Sequence, residues 1–248
     1  ANRSRCVVSP LVPAAVPPLL GDVTNAELAA AMGADFLLLN LFDVQKPAVQ
    51  GLPDHAPADT LRLVKQLTGR PVGINLEPGK APAHSAAPWA LTPGRCATAE
   101  NARLAADLGA DLILLTGNPG NGIGNAGILR ALREIRAAVG SRLILAAGKM
   151  HASGVLSEGA ESILTPEEID DFAAAGADII LLPAPGTVPG VTLEWAGARV
   201  QRIHRCGCLA LTSVGTSQEG ADTDTIRRIA LLCKQAGTDI HHLGDSGL

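Results

Sequence analysis

The phrase Gly-Ala-Asp followed by an apolar run occurs three times in this chain, and a near copy closes it. The runs are Gly33 to Asn40, Gly109 to Thr116, Gly176 to Pro183 and, as Gly-Thr-Asp-Ile-His-His-Leu-Gly, Gly237 to Gly244. Each follows an alanine-rich amphipathic stretch and so reads as a helix, a glycine C-cap and a buried strand. Steps of 76, 67 and 61 residues separate the copies, whereas one βα unit takes roughly 30 or more. Every gap therefore has to hold one further strand.

Those strands are 71–77, 142–149 and 208–213, and Arg5-Cys-Val-Val-Ser9 supplies the first. Seven helices fall between the eight strands, at about 24–33, 57–69, 97–109, 124–140, 165–176, 192–207 and 222–237. Near-continuous apolar strands alternating with helices predict a parallel sheet covered on its outer face, a (βα)8 TIM barrel with residues 1–248 as a single domain. An open doubly wound sheet would need a dinucleotide fingerprint or another crevice where strand order reverses, and Pro10-Leu-Val-Pro13 follows strand one instead. No eighth helix follows strand eight in this chain. A shortened or disordered tail is one reading, and a partner subunit covering the seam, making a homo-oligomer, is the other.

With 47% apolar residues and a net charge of −4, the chain can bury a full core and has no basic face for nucleic acid. It has no run of roughly 18 uncharged apolar residues and no visible signal peptide, so the expectation is a soluble, cytoplasmic protein without membrane contact. The five cysteines are scattered, and Cys206-Gly-Cys208 lacks the spacing of a redox or zinc pair. They are expected to be reduced thiols. Tyr is absent, and three Phe and two Trp leave few platforms for stacking on bases or sugars.

In a barrel, the chemistry sits at the C-terminal ends of the strands. The Asp of each repeat (35, 111, 178, 239) lies at a strand start and is expected to be structural. On strand three the period of two sets Gly73, Asn75 and Glu77 against Val72, Ile74 and Leu76, so Asn75 and Glu77 should face the barrel mouth. On strand five the same period puts Lys149 on the face of Leu145 and Ala147, expected inward, with His151 two residues on. Aligning the repeats sets Asn40 against Thr116, Pro183 and Gly244, so if Asn40 points inward His242 does too, and Asp245 follows at the rim. Converging polar groups in a barrel mouth are costly to bury without a ligand or partners. Lys149, Glu77 and His242 are the catalytic candidates, and Asn40, Asn75, Asn118, His151 and Asp245 the substrate-binding ones.

Two glycine-rich segments after strands seven and eight offer backbone N–H groups to a phosphate, through Gly215, Thr216 and Ser217 and through Gly244, Ser246 and Gly247. The loop Thr116 to Asn125, containing Asn118, is a third such cradle, without the Gly-Lys-Ser/Thr ending of a P-loop. Loops after strands one, two, three and five, at about 12–23, 43–56, 78–96 and 150–164, are long enough to serve as lids.

The succession of Gly-Ala-Asp strands, Thr116-Gly-Asn-Pro-Gly120, Ala147-Gly-Lys-Met-His151 and Asp239-Ile-His-His-Leu-Gly-Asp-Ser-Gly247 resembles a bacterial family of (βα)8 proteins labelled haloacid-dehalogenase-like or phosphoenolpyruvate-phosphonomutase-like. More loosely, the chain is similar to phosphate-binding TIM-barrel enzymes of sugar and cofactor metabolism. The first label fits the residues badly, because no Asp-x-Asp pair follows a strand.

The expectation is an enzyme, a lyase of aldolase type or an isomerase, acting on a small phosphorylated sugar-like metabolite. Lys149 would serve as Schiff-base nucleophile or electrostatic acid, and Glu77 or His242 as proton shuttle. No cofactor is predicted. The first alternative is a metal-dependent hydrolase or isomerase with a divalent metal on Glu77, His151, His242 and Asp245, against which strand one lacks a His-x-His pair. The second is a non-catalytic metabolite-binding barrel.

Overall fold

The computed structural model describes residues 6–11, 17–81, 90–117, 123–151, 160–215, 218 and 220–244, with only the backbone at 6, 9–11, 160 and 161. Its strands are β1 (Cys6–Leu11), β2 (Phe36–Leu39), β3 (Val72–Leu76), β4 (Leu112–Leu115), β5 (Ile144–Gly148), β6 (Ile179–Pro183), β7 (Leu209–Val214) and β8 (Ile240–Leu243). Each pairs in parallel with the next, and β8 returns to β1, closing the barrel in sequence order. The helices are α1 (Asn25–Ala31), α2 (Thr60–Thr68), α3 (Ala99–Asp107), α4 (Asn125–Val139), α5 (Pro166–Ala174), α6 (Leu193–Arg205) and α7 (Thr223–Ala236). The predicted architecture is therefore the observed one. Among the described residues, no helix is long and apolar enough to cross a membrane.

Helix boundaries follow local chemistry. Thr24 and Thr165 each close a capping box with Glu27 and Glu168, while Thr98, Thr192 and Asp222 accept N–H groups of the first turn. At the other end, Gly33, Gly109, Gly176 and Gly237 all take left-handed φ values between 92° and 102°, a conformation that a Cβ makes costly.

The aspartate after each of these glycines has one repeated task. Asp35, Asp111, Asp178 and Asp239 each accept, through Oδ2, the N–H of Val7, Val72, Leu145 or Ala210 in the preceding strand, at 2.8–2.9 Å. In return each Asp N–H donates to the carbonyl of that same residue. Three of the four carboxylates also meet a basic side chain from the helix that leads into the preceding strand: Lys65 of α2 on Asp111, Arg136 of α4 on Asp178 and His204 of α6 on Asp239. These pairs fix strand register at the N-terminal end of the barrel, away from the mouth.

Two apolar layers result. Outside the sheet, Leu37, Leu39, Ile74, Leu76, Ile113, Leu115, Leu145, Ala147, Ile180 and Leu182 pack against the helices. Inside, Val8, Phe36, Leu38, Leu112, Leu114, Ala146, Ile179, Leu181, Leu211 and Ile240 fill the barrel. Gly73 is confined to glycine by the inner layer, since a Cβ there would lie 2.9 Å from Phe36 and 3.0 Å from Leu112. Removing one strand-start carboxylate should register as lost stability. Asp111→Ala strands the N–H of fully buried Val72, and urea unfolding should report a loss of roughly 2 kcal/mol. Asp111→Asn, which keeps an acceptor oxygen, should recover part of it.

Candidate active site at the barrel mouth

On five of the strands the interior face is apolar at the bottom and turns polar near the C-terminal end. Phe36 and Leu38 lead to Asn40, Gly73 to Asn75 and Glu77, Leu112 and Leu114 to Thr116, Leu211 to Ser213, and Ile240 to His242. Neighbours on this rim touch. Asn75 Nδ2 donates to Asn40 Oδ1 at 3.3 Å, and Ser213 Oγ lies 3.0 Å from His242 Nδ1 across the β7–β8 register. The expectation that Asn40, Asn75 and His242 share one interior face thus agrees with the strand parity.

His242 is 2% exposed. Burial lowers its pKa from the usual 6.5 to about 4, a hydrogen bond to its own backbone offsetting only part of the effect. The imidazole is neutral at physiological pH, an uncharged group set in a largely apolar barrel.

Glu77 extends β3 past the barrel wall and is bound to a residue the sequence reading missed. Its Oε1 accepts from Arg95 Nη2 at 2.6 Å, with both side chains largely buried, and Arg95 Nη1 also donates to the Ala90 carbonyl. Arg95 rides on a short 3-10 turn, Pro93–Arg95, that a carboxylate from another loop clamps. Asp43, after β2, accepts from Thr92 Oγ1 at 2.6 Å and from the N–H groups of Gln45 and Lys46. Val44 N–H donates to the Gly94 carbonyl, and a Cβ on Gly94 would fall 1.7 Å from Asp43 Oδ1. Asn101 completes the clamp, donating to the Pro93 and Cys96 carbonyls while accepting from Gln45 Nε2. Arg95 is thereby held over β3 without freedom to swing.

Lys149 requires a correction. Leu145 and Ala147, whose face was expected to look into the mouth, belong to the layer between sheet and helices, whereas Ala146 and Met150 pack with the interior. The strand period therefore does not carry Lys149 inward. Lys149 is buried at 3% exposure, directly after Gly148, whose φ of 146° and separation of 2.1 Å between a would-be Cβ and the Leu181 carbonyl admit no side chain. His151 follows at intermediate burial.

Gly215 and Gly244 end β7 and β8 side by side, and a Cβ on Gly244 would meet Gly215 Cα and Val214 O at 2.9 Å. Close strand approach alone accounts for glycine at 244. Asn118, Thr216, Ser217, Asp245, Ser246 and Gly247 lie outside the described residues. Among those described, no three His, Cys, Asp or Glu side chains gather as a metal site.

A family model described as "Domain of unknown function (DUF7916)" matches residues 1–248. The chain belongs to this family. Beyond it, 79 residues are 43% identical to a provisionally named N-acetylmannosamine-6-phosphate 2-epimerase of Actinobacillus pleuropneumoniae serotype 5b, covering 31% of this chain and 29% of that protein. The counterpart in Haemophilus influenzae is 37% identical over the same length. The matched segment thus spans under a third of these relatives. Among solved structures, a Schiff-base-forming fructose-1,6-bisphosphate aldolase superposes with TM-score 0.58 at 17% identity, covering 98% of this chain and 88% of that one. A protein described as a phosphonomutase of Burkholderia cenocepacia J2315 gives 0.55 at 18%, covering 96% and 86%. At these identities the likeness is one of fold. The phosphonomutase side of the resemblance thus finds a barrel counterpart, and the haloacid-dehalogenase label finds no support.

The neutral His242 generates a pH prediction. Between its folded value of about 4 and an unfolded value of 6.5, the unfolded chain binds one proton more than the native one, so stability falls as pH drops through that window. The loss amounts to about 3 kcal/mol in all. Denaturant unfolding from pH 7 to 4 should show this slope in the wild type, and His242→Gln should flatten it.

Proposed function

We propose that this protein is an isomerase of a small phosphorylated sugar-like metabolite, moving a proton at the carbon beside a carbonyl. The observation that carries the reading is His242, a buried neutral imidazole tied through Nδ1 to Ser213 in the polar layer of the mouth. If the Ser213 hydroxyl donates to Nδ1, the tautomer carries its proton on Nε2, and a neutral N–H aimed at a carbonyl oxygen stabilises the developing enediolate without adding a charge to the site. Glu77 is then the base that removes the carbon-bound proton, oriented by Arg95. Partial identity to sugar-phosphate epimerases supports the substrate class and the proton-transfer chemistry. Phosphate would sit against the backbone of the β7 and β8 ends, where Gly215 and Gly244 lie.

A second reading, carbon–carbon cleavage through an imine on Lys149, rests on the buried lysine at the end of β5 and loses the strand-parity argument that pointed it into the mouth. One assay separates the two. Wild-type protein incubated in D2O with phosphorylated aldoses, ketoses and 2-acetamido sugars should exchange the proton beside the carbonyl, followed by proton NMR. His242→Gln and Glu77→Gln should each slow exchange by roughly 100-fold or more. No exchange with any of these substrates overturns the isomerase reading, and a borohydride-trapped adduct on Lys149 replaces it with the lyase.

A further inference from the structure

Among the described residues, Leu41 is the one non-glycine residue with positive φ, at 59°. This backbone turn aims its N–H at Asn40 Oδ1, 3.0 Å away. An N–H can be accepted by the oxygen of an amide and not by its nitrogen, so Leu41 fixes which way the Asn40 amide lies. Asn75 meets that same oxygen and therefore presents its Nδ2 to it. Its own Oδ1 is left facing elsewhere, buried and without a partner. On the neighbouring strand, Thr116 is 5% exposed and its Oγ1 is likewise buried without a partner. Asn75 stands in register with Leu114, so Thr116 follows two residues nearer the mouth on the same interior face. Unmatched polar atoms on two neighbouring strands each cost about 1–3 kcal/mol, which a ligand would recover.

We propose that Asn75 Oδ1 and Thr116 Oγ1 form a subsite that recognises a hydrogen-bond donor on the substrate, a hydroxyl or an amide N–H. The inference rests on the sugar-phosphate reading and narrows it. A ligand hydroxyl satisfies both atoms at once, donating to Asn75 and accepting from the Thr116 hydroxyl, whereas an amide N–H satisfies Asn75 alone. A deoxy carbon or an ether oxygen leaves the Asn75 acceptor unmatched. Asn40 acts in this subsite as a positioning residue, setting the polarity that Asn75 presents.

Calorimetric titration of the full chain with glucose 6-phosphate, N-acetylglucosamine 6-phosphate and hexose 6-phosphates lacking one hydroxyl at a time tests this. Loss of one particular donor should weaken binding roughly 10- to 100-fold. Asn75→Ala should bind the parent and that deoxy compound alike. Asn40→Asp, which keeps an acceptor oxygen, should preserve the discrimination, and Asn40→Leu should blunt it. If Asn75→Ala discriminates as the wild type does, or the wild type binds every deoxy compound as tightly as the parent, the subsite is overturned and the isomerase reading stands. Failure of the wild type to bind any hexose phosphate overturns both. Should Asn75→Ala not fold, a crystal structure of the wild type with bound hexose phosphate decides, and a ligand with no N–H or O–H within about 3.5 Å of Asn75 Oδ1 rejects the proposal.

Discussion

A parallel barrel has no hairpins to set its register, so each strand must find its neighbour through contacts made after a long crossover. In this chain the aspartate of the Gly-Ala-Asp repeat supplies that contact. One residue both donates to and accepts from the first or second residue of the preceding strand, at β1–β2, β3–β4, β5–β6 and β7–β8. Slipping a strand by one position would break both bonds and turn the inner apolar layer outward. Everything at the mouth inherits its position from this lower ring, because the interior parity that reaches Asn40, Asn75, Thr116, Ser213 and His242 is set there.

The mouth is built differently on its two sides. Toward β7 and β8 the described residues bring His242 and Ser213 into a hydrogen bond, and two glycines draw the strand ends together. Toward β3 it carries a buried ion pair, Glu77 with Arg95, held by loop contacts instead of the sheet. Truncating either partner would leave a buried charge, a change that typically costs 3–5 kcal/mol.

The barrel was legible because its signals are local and repeated: a glycine that must be left-handed, an aspartate beside it, and an apolar run behind it. His242 was legible by the same route, since its strand aligns with three others and it falls two residues before the position of Asn40, Thr116 and Pro183, on the same face. Strand five offered no such contrast. Ile144, Leu145, Ala146 and Ala147 are apolar on both faces, so the period could not say which face was inner, and Leu145 and Ala147 belong to the outer one. Arg95 was hidden for another reason. Eighteen residues separate it from Glu77, and what joins them is the packing of two loops, which leaves no periodic trace in sequence. Thr116 ends a strand where a structural hydroxyl and a ligand-binding one look alike until their partners are counted.

The clamp at Asp43 changes what the rim can do. Loops after β2 and β3 arise from separate βα units, yet the carboxylate, the backbone bond from Val44 and the missing side chain at Gly94 join them into a single plate. Neither of the two can fold down over a bound molecule by itself as far as residue 94. Any breathing of that edge has to carry Asn101, and with it the start of α3, so an opening motion there is coupled to a helix of the outer wall.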